Sequence, residues 1–519
     1  MVMPVESGLP YDLSVLERAR LSRDPRFDGK FFVAVTSTGI YCRPVCPAVP
    51  SVKSRHIRYF ASAAAAHEAG FRPCLRCRPE AAPGTPAWSG TSAVVRRALR
   101  LIQEGGLDGQ AVSEFAARLG LGPRHLNRLF HRHVGASPRA IAQTRRLHFA
   151  KRLIDETDLP MTEIAHAAGF GSLRRFNDVV RSTYGAPPRE LRQQRREQRP
   201  CITAGEVCLT LAYRPPYDWG HMREFLAQRA LPGVEKIDAS SYTRLIRTAD
   251  GYAEIGIRPL PARNALELRV RGAPAEALLN IAATARHVFD LSADPESVTQ
   301  SLGADRLLRP LVQRRPGLRI PGAWDPFECA IRAVLGQQVT VATARALGGR
   351  LVQRLGRPAA GAGGLTHLFP TPEAILAGNL DGLGLTGNRI TALKALAKAV
   401  AEGRIAFERP AEEVIASLEQ LPGFGEWTAQ YIALRALWEP DALPGADLVL
   451  RRMAGKGGGP LSTKEMERRA ERWRPWRSYA VMHLWCAAGE SRARRAAVPR
   501  RVHDASCAKS AKPTGAHES

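Results

Sequence analysis

The chain reads as a multidomain, mainly α protein in which two small α+β units alternate with two all-α units. Its 519 residues suffice for three or four domains, each able to bury its own core. Pro83-Gly84-Thr85-Pro86 and the polar run Arg192 to Pro200 punctuate it. The hydrophobic period also changes along the chain. Alternation such as Leu266-Glu267-Leu268-Arg269-Val270 marks strands in the third stretch, whereas the pattern from Ile320 to Glu490 is almost wholly helical. The expected order is a short Cys-bearing α+β unit over 8–80, a basic all-α region over 92–193, an α+β subdomain over 204–316 and an all-α domain over 320–490. Pro358 to Gly364 reads as a surface loop, and 491–519 as a basic disordered tail.

Lys and Arg number 75 against 49 Asp and Glu, giving a net charge of +26 and a pI of about 10.4. A polyanionic partner is expected, and Arg suits bidentate phosphate contacts. No run of about eighteen apolar residues exists to span a bilayer, which excludes a helical membrane protein. The start, Met1 to Ser7, lacks the charged and apolar regions of a signal peptide, so an intracellular, reducing compartment is expected. Nine cysteines there do not read as a disulfide framework.

Four of these cysteines fall in two short-spaced pairs, Cys42/Cys46 and Cys74/Cys77. This spacing fits a tetrahedral Cys₄ zinc site that organises a domain too small to be secure without metal. A purely structural zinc is one reading. The runs Phe32 to Pro44 and Gly70-Phe71-Arg72-Pro73-Cys74 closely resemble the amino-terminal domain of the Ada DNA-repair regulators. The resemblance implies that Cys42 accepts a methyl group from a methylphosphotriester in DNA, with Cys46, Cys74 and Cys77 as co-ligands of the zinc. Zinc holds the thiolate that a nucleophile requires. S-methylation also removes one negative charge from the site, which lowers its repulsion from DNA phosphates.

In the second stretch, Phe115 to Leu121 precedes a helix carrying Arg124, Asn127, Arg128 and Arg132. A similar design recurs about fifty residues later, where Ile164 to Ser172 precedes Arg174, Arg175, Asn177 and Arg181. The copies end alike, in Gly135-Ala136-Ser137-Pro138 and Gly185-Ala186-Pro187-Pro188. Small residues let a first helix pack, and Gly turns the chain into a second helix able to enter a major groove. The run Ala168-Gly169-Phe170 with Ser172, Arg175 and Phe176 resembles the AraC-type DNA-binding domain. Arg124, Arg128, Arg174 and Arg175 are the expected DNA contacts; a basic bundle without sequence preference is the alternative.

In the last stretch, Leu421-Pro422-Gly423-Phe424-Gly425 followed by Trp427-Thr428-Ala429 describes a tight turn between two helices, with Asp447 downstream. Glycine lets the backbone approach another surface, and helix-start amides can hold a phosphate. The segment resembles the helix-hairpin-helix DNA glycosylases, with Gly423, Gly425 and Thr428 on DNA. Cleaving a base from its sugar passes through an oxocarbenium-like centre, which a nearby carboxylate stabilises or supplies with oriented water. Asp447 is the candidate catalyst, equally placed to cap the helix that follows; Asp441 is its local competitor. Related bifunctional glycosylases carry Lys where Trp427 stands, so the resemblance implies base release without strand cleavage. Ala333 to Val339 and Ala470 to Ala480 extend it to the AlkA-type 3-methyladenine DNA glycosylases. By that resemblance Trp427, Tyr431 and Trp485 line a base pocket, whose aromatic faces attract a cationic alkylated base. The family's apolar wedge falls near Gln338, here a polar residue.

These readings combine into an alkylation-repair fusion. A zinc-cysteine methyl sensor and an AraC-type regulator module precede a monofunctional glycosylase for 3-methyladenine and other alkylated bases. The alternative is a methylation-activated transcription factor whose glycosylase-like half only scans DNA. One zinc and no iron–sulfur cluster are expected, since only Cys486 and Cys507 follow the hairpin. No Pro-Cys-His-Arg motif occurs, so no counterpart of the O6-methylguanine transferase half of full-length Ada proteins is expected in this sequence. The expected partners are alkylated and promoter double-stranded DNA and RNA polymerase, without membrane, in a bacterial cytoplasm at the nucleoid.

Overall fold

The computed structural model describes residues 9–83, 93–103, 105–194, 205–249, 251–455 and 459–497. In the first unit the strands run in the order Ile57–Phe60, Phe32–Val35, Ile40–Cys42, Arg72–Pro73. Side chains alternate across a strand, so this sheet has two buried faces. Val33 and Val35 face the helix Leu13–Ser22 and the cysteines, while Phe32 and Ala34 face the helix Ala63–Glu68. The second face also takes in Ala136, Ala140 and Ile141, which binds the unit to the helical region that follows.

That region holds two helix pairs, Val112–Arg118 with Pro123–Val134 and Met161–Ala167 with Leu173–Tyr184, joined by the linking helix Pro138–Glu156. Gly135 and Gly185 end the second helix of each pair with φ of 75° and 78°, a left-handed C-cap that glycine adopts without strain. The first pair and its leading helix, Ala93–Gln103, close around their own core of Leu99, Phe115, Leu126 and Phe130. The second pair shares a continuous core with the next subdomain.

The α+β subdomain is built on an antiparallel sheet in the order Glu206–Ala212, Ala265–Arg271, Gly251–Leu260, Tyr242–Thr248, Glu235–Ile237. Leu209 and Ile257 flank Leu268 in register, and all three are buried. Beyond Ile320 the chain is helical except for two-residue strands, Arg357–Pro358 and His367–Leu368, which pair across the expected loop.

The tail expected from residue 491 is corrected here. The last helix, Arg477–Ala497, runs through its first seven residues, and 498–519 lie outside the described residues. Residues 195–200 of the expected linker and 84–86 of the Pro-Gly punctuation lie outside them as well. Among the described residues no helix is long and apolar enough to cross a membrane.

Candidate active site and metal centre

The hairpin joins the helices Ala411–Glu419 and Glu426–Ala436. Gly423 has φ of +81°, and a Cβ there would meet the Ala392 Cβ at 3.0 Å, so both backbone and packing require glycine. Gly423 and Gly425 are exposed, and Gly425 caps the second helix. Thr428, expected to contact DNA, is instead buried. Its hydroxyl accepts from Gln337 Nε2 at 3.0 Å, and the same amide donates to Gly423 O at 2.8 Å. Those bonds strap the loop before the helix Val341–Leu355 to the hairpin. Gln338, next in that loop, is exposed with φ of +54°.

A cleft of about 540 Å³ opens beside the hairpin and brings together Trp427, Tyr431, Asp447 and Trp485. Trp427 and Tyr431 lie one turn apart on the hairpin helix, and their rings stack at 5.3 Å with 14° between planes. Trp485 comes from the last helix, its ring 6.1 Å from that of Tyr431. Asp447 caps the helix Leu448–Ala454, accepting from Leu450 N at 2.9 Å on Oδ1. The same oxygen accepts from Trp485 Nε1 at 3.3 Å, while Oδ2 accepts from Trp427 Nε1 at 2.9 Å. Three N–H donors thus fix one carboxylate on an aromatic wall. Asp441 does not line this cleft, and Arg474 and Arg477 hold both its oxygens.

Three lining residues carry no signal in the motifs above. Phe225 and Arg229 come from the helix Trp219–Arg229 of the preceding subdomain. The Arg229 guanidinium lies 3.7 Å from the centre of the Phe225 ring, and burial pushes its pKa down to about 10. Arg435, one turn beyond Tyr431, donates to the Tyr431 hydroxyl at 2.8 Å and to Gly322 O at 3.0 Å. Its helical spacing from Tyr431 was readable; the other two required the tertiary fold.

The four sulfurs of Cys42, Cys46, Cys74 and Cys77 lie within 4.8 Å of one another. Tetrahedral zinc with Zn–S of about 2.3 Å places its sulfurs about 3.8 Å apart, so the all-thiol set fits one zinc ion. The backbone N–H of Arg43 donates to Cys77 Sγ at 3.3 Å, and the Arg43 side chain is paired with Asp28. Arg124 and Arg128, and Arg174 and Arg175, stand exposed on the second helices of the two pairs. Arg128 Nη2 lies 2.9 Å from His125 Nδ1.

Comparison with known families matches this geometry segment by segment. Residues 16–80 match the metal binding domain of Ada, and 115–194 match a helix-turn-helix domain. Residues 208–325 match the AlkA N-terminal domain, and 331–478 the HhH-GPD superfamily of base excision DNA repair proteins. The class is therefore a helix-hairpin-helix repair protein fused to an Ada-like DNA-binding half. Over 473 residues the chain is 41% identical to the probable bifunctional transcriptional activator/DNA repair enzyme AlkA of Mycobacterium tuberculosis, covering 90% of this chain and 95% of that one. It belongs to that family. Its second half is 36% identical over 291 residues to DNA-3-methyladenine glycosylase 2 of Escherichia coli, covering 54% of this chain and 97% of that one. Its first half is 33% identical over 172 residues to the bifunctional transcriptional activator/DNA repair enzyme Ada of Escherichia coli, covering 33% of this chain and 47% of that one.

Proposed function

We propose that the protein excises 3-methyladenine and related alkylated bases from double-stranded DNA, and that its first half senses methyl damage and regulates transcription. The observation that carries the first part is the Asp447 carboxylate, held by Trp427 and Trp485 on the wall of an aromatic cleft beside the hairpin. Gly423 and Gly425 grip the DNA backbone through exposed main chain, and a flipped base enters between the aromatic faces. A cationic alkylated base is attracted by those faces, whereas Arg229 and Arg435 sit behind them and disfavour positive charge deeper in the cleft. The bond from C1′ to the base nitrogen breaks, the cationic base leaves neutral with the electron pair, and water adds to C1′ and releases one proton to solvent. Asp447 stabilises the positive sugar or orients that water. Trp427 offers no amine to attack the sugar, so the strand is not cut.

In the sensor half, the Cys42 sulfur forms a bond to the methyl carbon as the methyl–oxygen bond breaks, leaving an ordinary phosphodiester. Cys46, Cys74 and Cys77 share the zinc, which keeps the acceptor a thiolate. Loss of one negative charge then strengthens DNA binding by the paired helices through Arg124, Arg128, Arg174 and Arg175. RNA polymerase is the expected partner at a promoter, and the cytoplasm at the nucleoid the expected location.

The test compares wild type with Asp447→Asn on methylated duplex DNA, reading free base and strand breaks separately. Asn can keep the N-cap but has one acceptor oxygen where the carboxylate has two, so melting temperature and DNA affinity are measured alongside, and lost activity with both unchanged reports chemistry. Wild type is expected to release 3-methyladenine without breaks, and Asp447→Asn to be slower by about two orders of magnitude. No release by folded, DNA-binding wild type sinks the enzyme reading and leaves the methylation-activated transcription factor.

A further inference from the structure

The first helix pair touches the glycosylase half through its leading helix, Ala93–Gln103, where Arg96 and Arg100 meet the segment 437–439 and Arg97 meets Glu408. Arg100 Nη1 donates to Leu437 O at 2.7 Å, and its guanidinium lies 5.6 Å from the Trp438 ring. Arg97 donates through Nε and Nη2 to Glu408 O, both at 3.3 Å, and Arg96 lies 3.9 Å from a Glu439 carboxylate oxygen. Leu437 is the C-cap of the hairpin helix, so Arg100 places a cation where the carbonyls of that helix end, a favourable match to its dipole. This helix carries Trp427, Tyr431 and Arg435, and the chain runs from Leu437 directly to Asp447.

The gripped segment is unusual in its own right. Trp438 has φ of +51°, a left-handed conformation costly for a bulky residue, and its ring is stacked 3.7 Å from that of His287. From the other side Ser478 holds the same segment, its N–H donating to Pro440 O at 2.9 Å and its hydroxyl to Glu439 O at 2.7 Å. Ser478 lies in the first turn of the helix that bears Trp485. The stretch leading to Asp447 is therefore fixed inside the glycosylase by Ser478 and from outside it by Arg100. Between the leading helix and Trp438 remains a cavity of about 190 Å³, so this is a polar grip and not a closed core.

We infer that Arg100 is a positioning residue for base excision. Through the Leu437 carbonyl and the Trp438 ring it sets the end of the hairpin helix and the path of the chain to Asp447. A residue of the DNA-reading half thereby tunes the geometry of the base pocket. The inference rests on the glycosylase reading above.

Single-turnover release of 3-methyladenine from methylated duplex DNA tests it in the full-length protein, with the dissociation constant for the same DNA measured alongside. Arg100→Ala is expected to lower the excision rate constant about tenfold while DNA affinity holds, and Arg100→Lys, which still donates to the carbonyl, to recover most of the rate. Amide hydrogen exchange is expected to quicken over residues 437–447 in Arg100→Ala. Arg100→Met, which keeps the aliphatic stem, replaces Arg100→Ala if that variant does not fold. Active wild type with an unaltered rate constant in the alanine or methionine variant overturns the inference and leaves the glycosylase reading intact. A fall in DNA affinity at unchanged rate constant overturns it too, by making Arg100 a DNA ligand. Inactive wild type removes the glycosylase reading itself.

Discussion

Leu126, Phe130 and Val134 of the first pair stand fifty residues before Phe176, Val180 and Tyr184 of the second, and all six are buried. Their surroundings differ. The first three belong to a separate core shared only with the leading helix and the start of the linking helix, whereas the second three belong to one that continues through Leu209, Leu268 and Leu278 of the α+β subdomain. Met161 and Phe170 of the second pair pack onto this shared core, as do Ala273, Ala275 and Ala277 from the subdomain side. One local design thus serves as a module with its own core in one copy and as part of a larger body in the other. Polar contacts suit an interface that can be adjusted, whereas a shared apolar core makes two units fold together.

Truncating the two cores breaks this comparison most directly. Phe176→Ala and Phe130→Ala each remove a fully buried ring and are each expected to cost about 3–5 kcal/mol. Phe176→Ala is expected to lower the unfolding temperature of the glycosylase half together with that of the helix pair. Phe130→Ala is expected to leave the glycosylase transition in place. Differential scanning calorimetry, with heat inactivation of base release as a second probe, reads both. Equal effects on the glycosylase transition show that the first pair is no more independent than the second.

Chelation is the next test, because the zinc unit leans on both pairs. It packs Phe32 and Ala34 toward Ala136 beyond the first pair, while Arg78, next to Cys77, pairs with Glu156 at 3.1 Å on the linking helix. Glu156 in turn accepts from Thr210 N at 2.8 Å on the subdomain's edge strand. Removing zinc is expected to expose amides of residues 9–83 to exchange and abolish methyl transfer to Cys42, detected as a mass gain on its peptide. Base release is expected to persist at more than about half its rate, because the glycosylase core does not include the zinc unit. Loss of both activities together shows that the zinc unit supports the whole body.

What was legible in the sequence follows the distance over which each feature is encoded. The zinc quartet, the paired helices and the hairpin with Asp447 rest on short spacings, and local spacing survives folding. Trp485 lies 38 residues beyond Asp447, yet the family pattern placed it in the cleft, where its indole meets that carboxylate. Phe225 and Arg229 escaped because they reach the cleft from another subdomain. Thr428 was misplaced for a related reason. Its position in the hairpin motif suggests a face on DNA, but Gln337 arrives from a separate loop and covers it. The contacts between units were illegible too. Lys30 and Asp294 pair at 2.7 Å with both side chains buried, and nothing in the sequence marks them as partners.

The smallest expected effect asks whether both helix pairs read DNA, given that one is anchored in a core and the other by arginines. Arg124 and Arg174 occupy equivalent exposed sites, each the second residue of its helix. If both meet phosphates, Arg124→Ala and Arg174→Ala each weaken binding by about 1 kcal/mol and reduce the salt slope by about one. The readout is the dissociation constant for promoter DNA over a range of salt concentrations, before and after methylation of Cys42. Methylation is expected to enhance both variants as it does wild type, since neither arginine touches the cysteine cluster. Should Arg124→Ala alone leave affinity and slope unchanged, the first pair is not a reader. Its leading helix then serves the glycosylase through Arg100, and the second pair alone carries recognition.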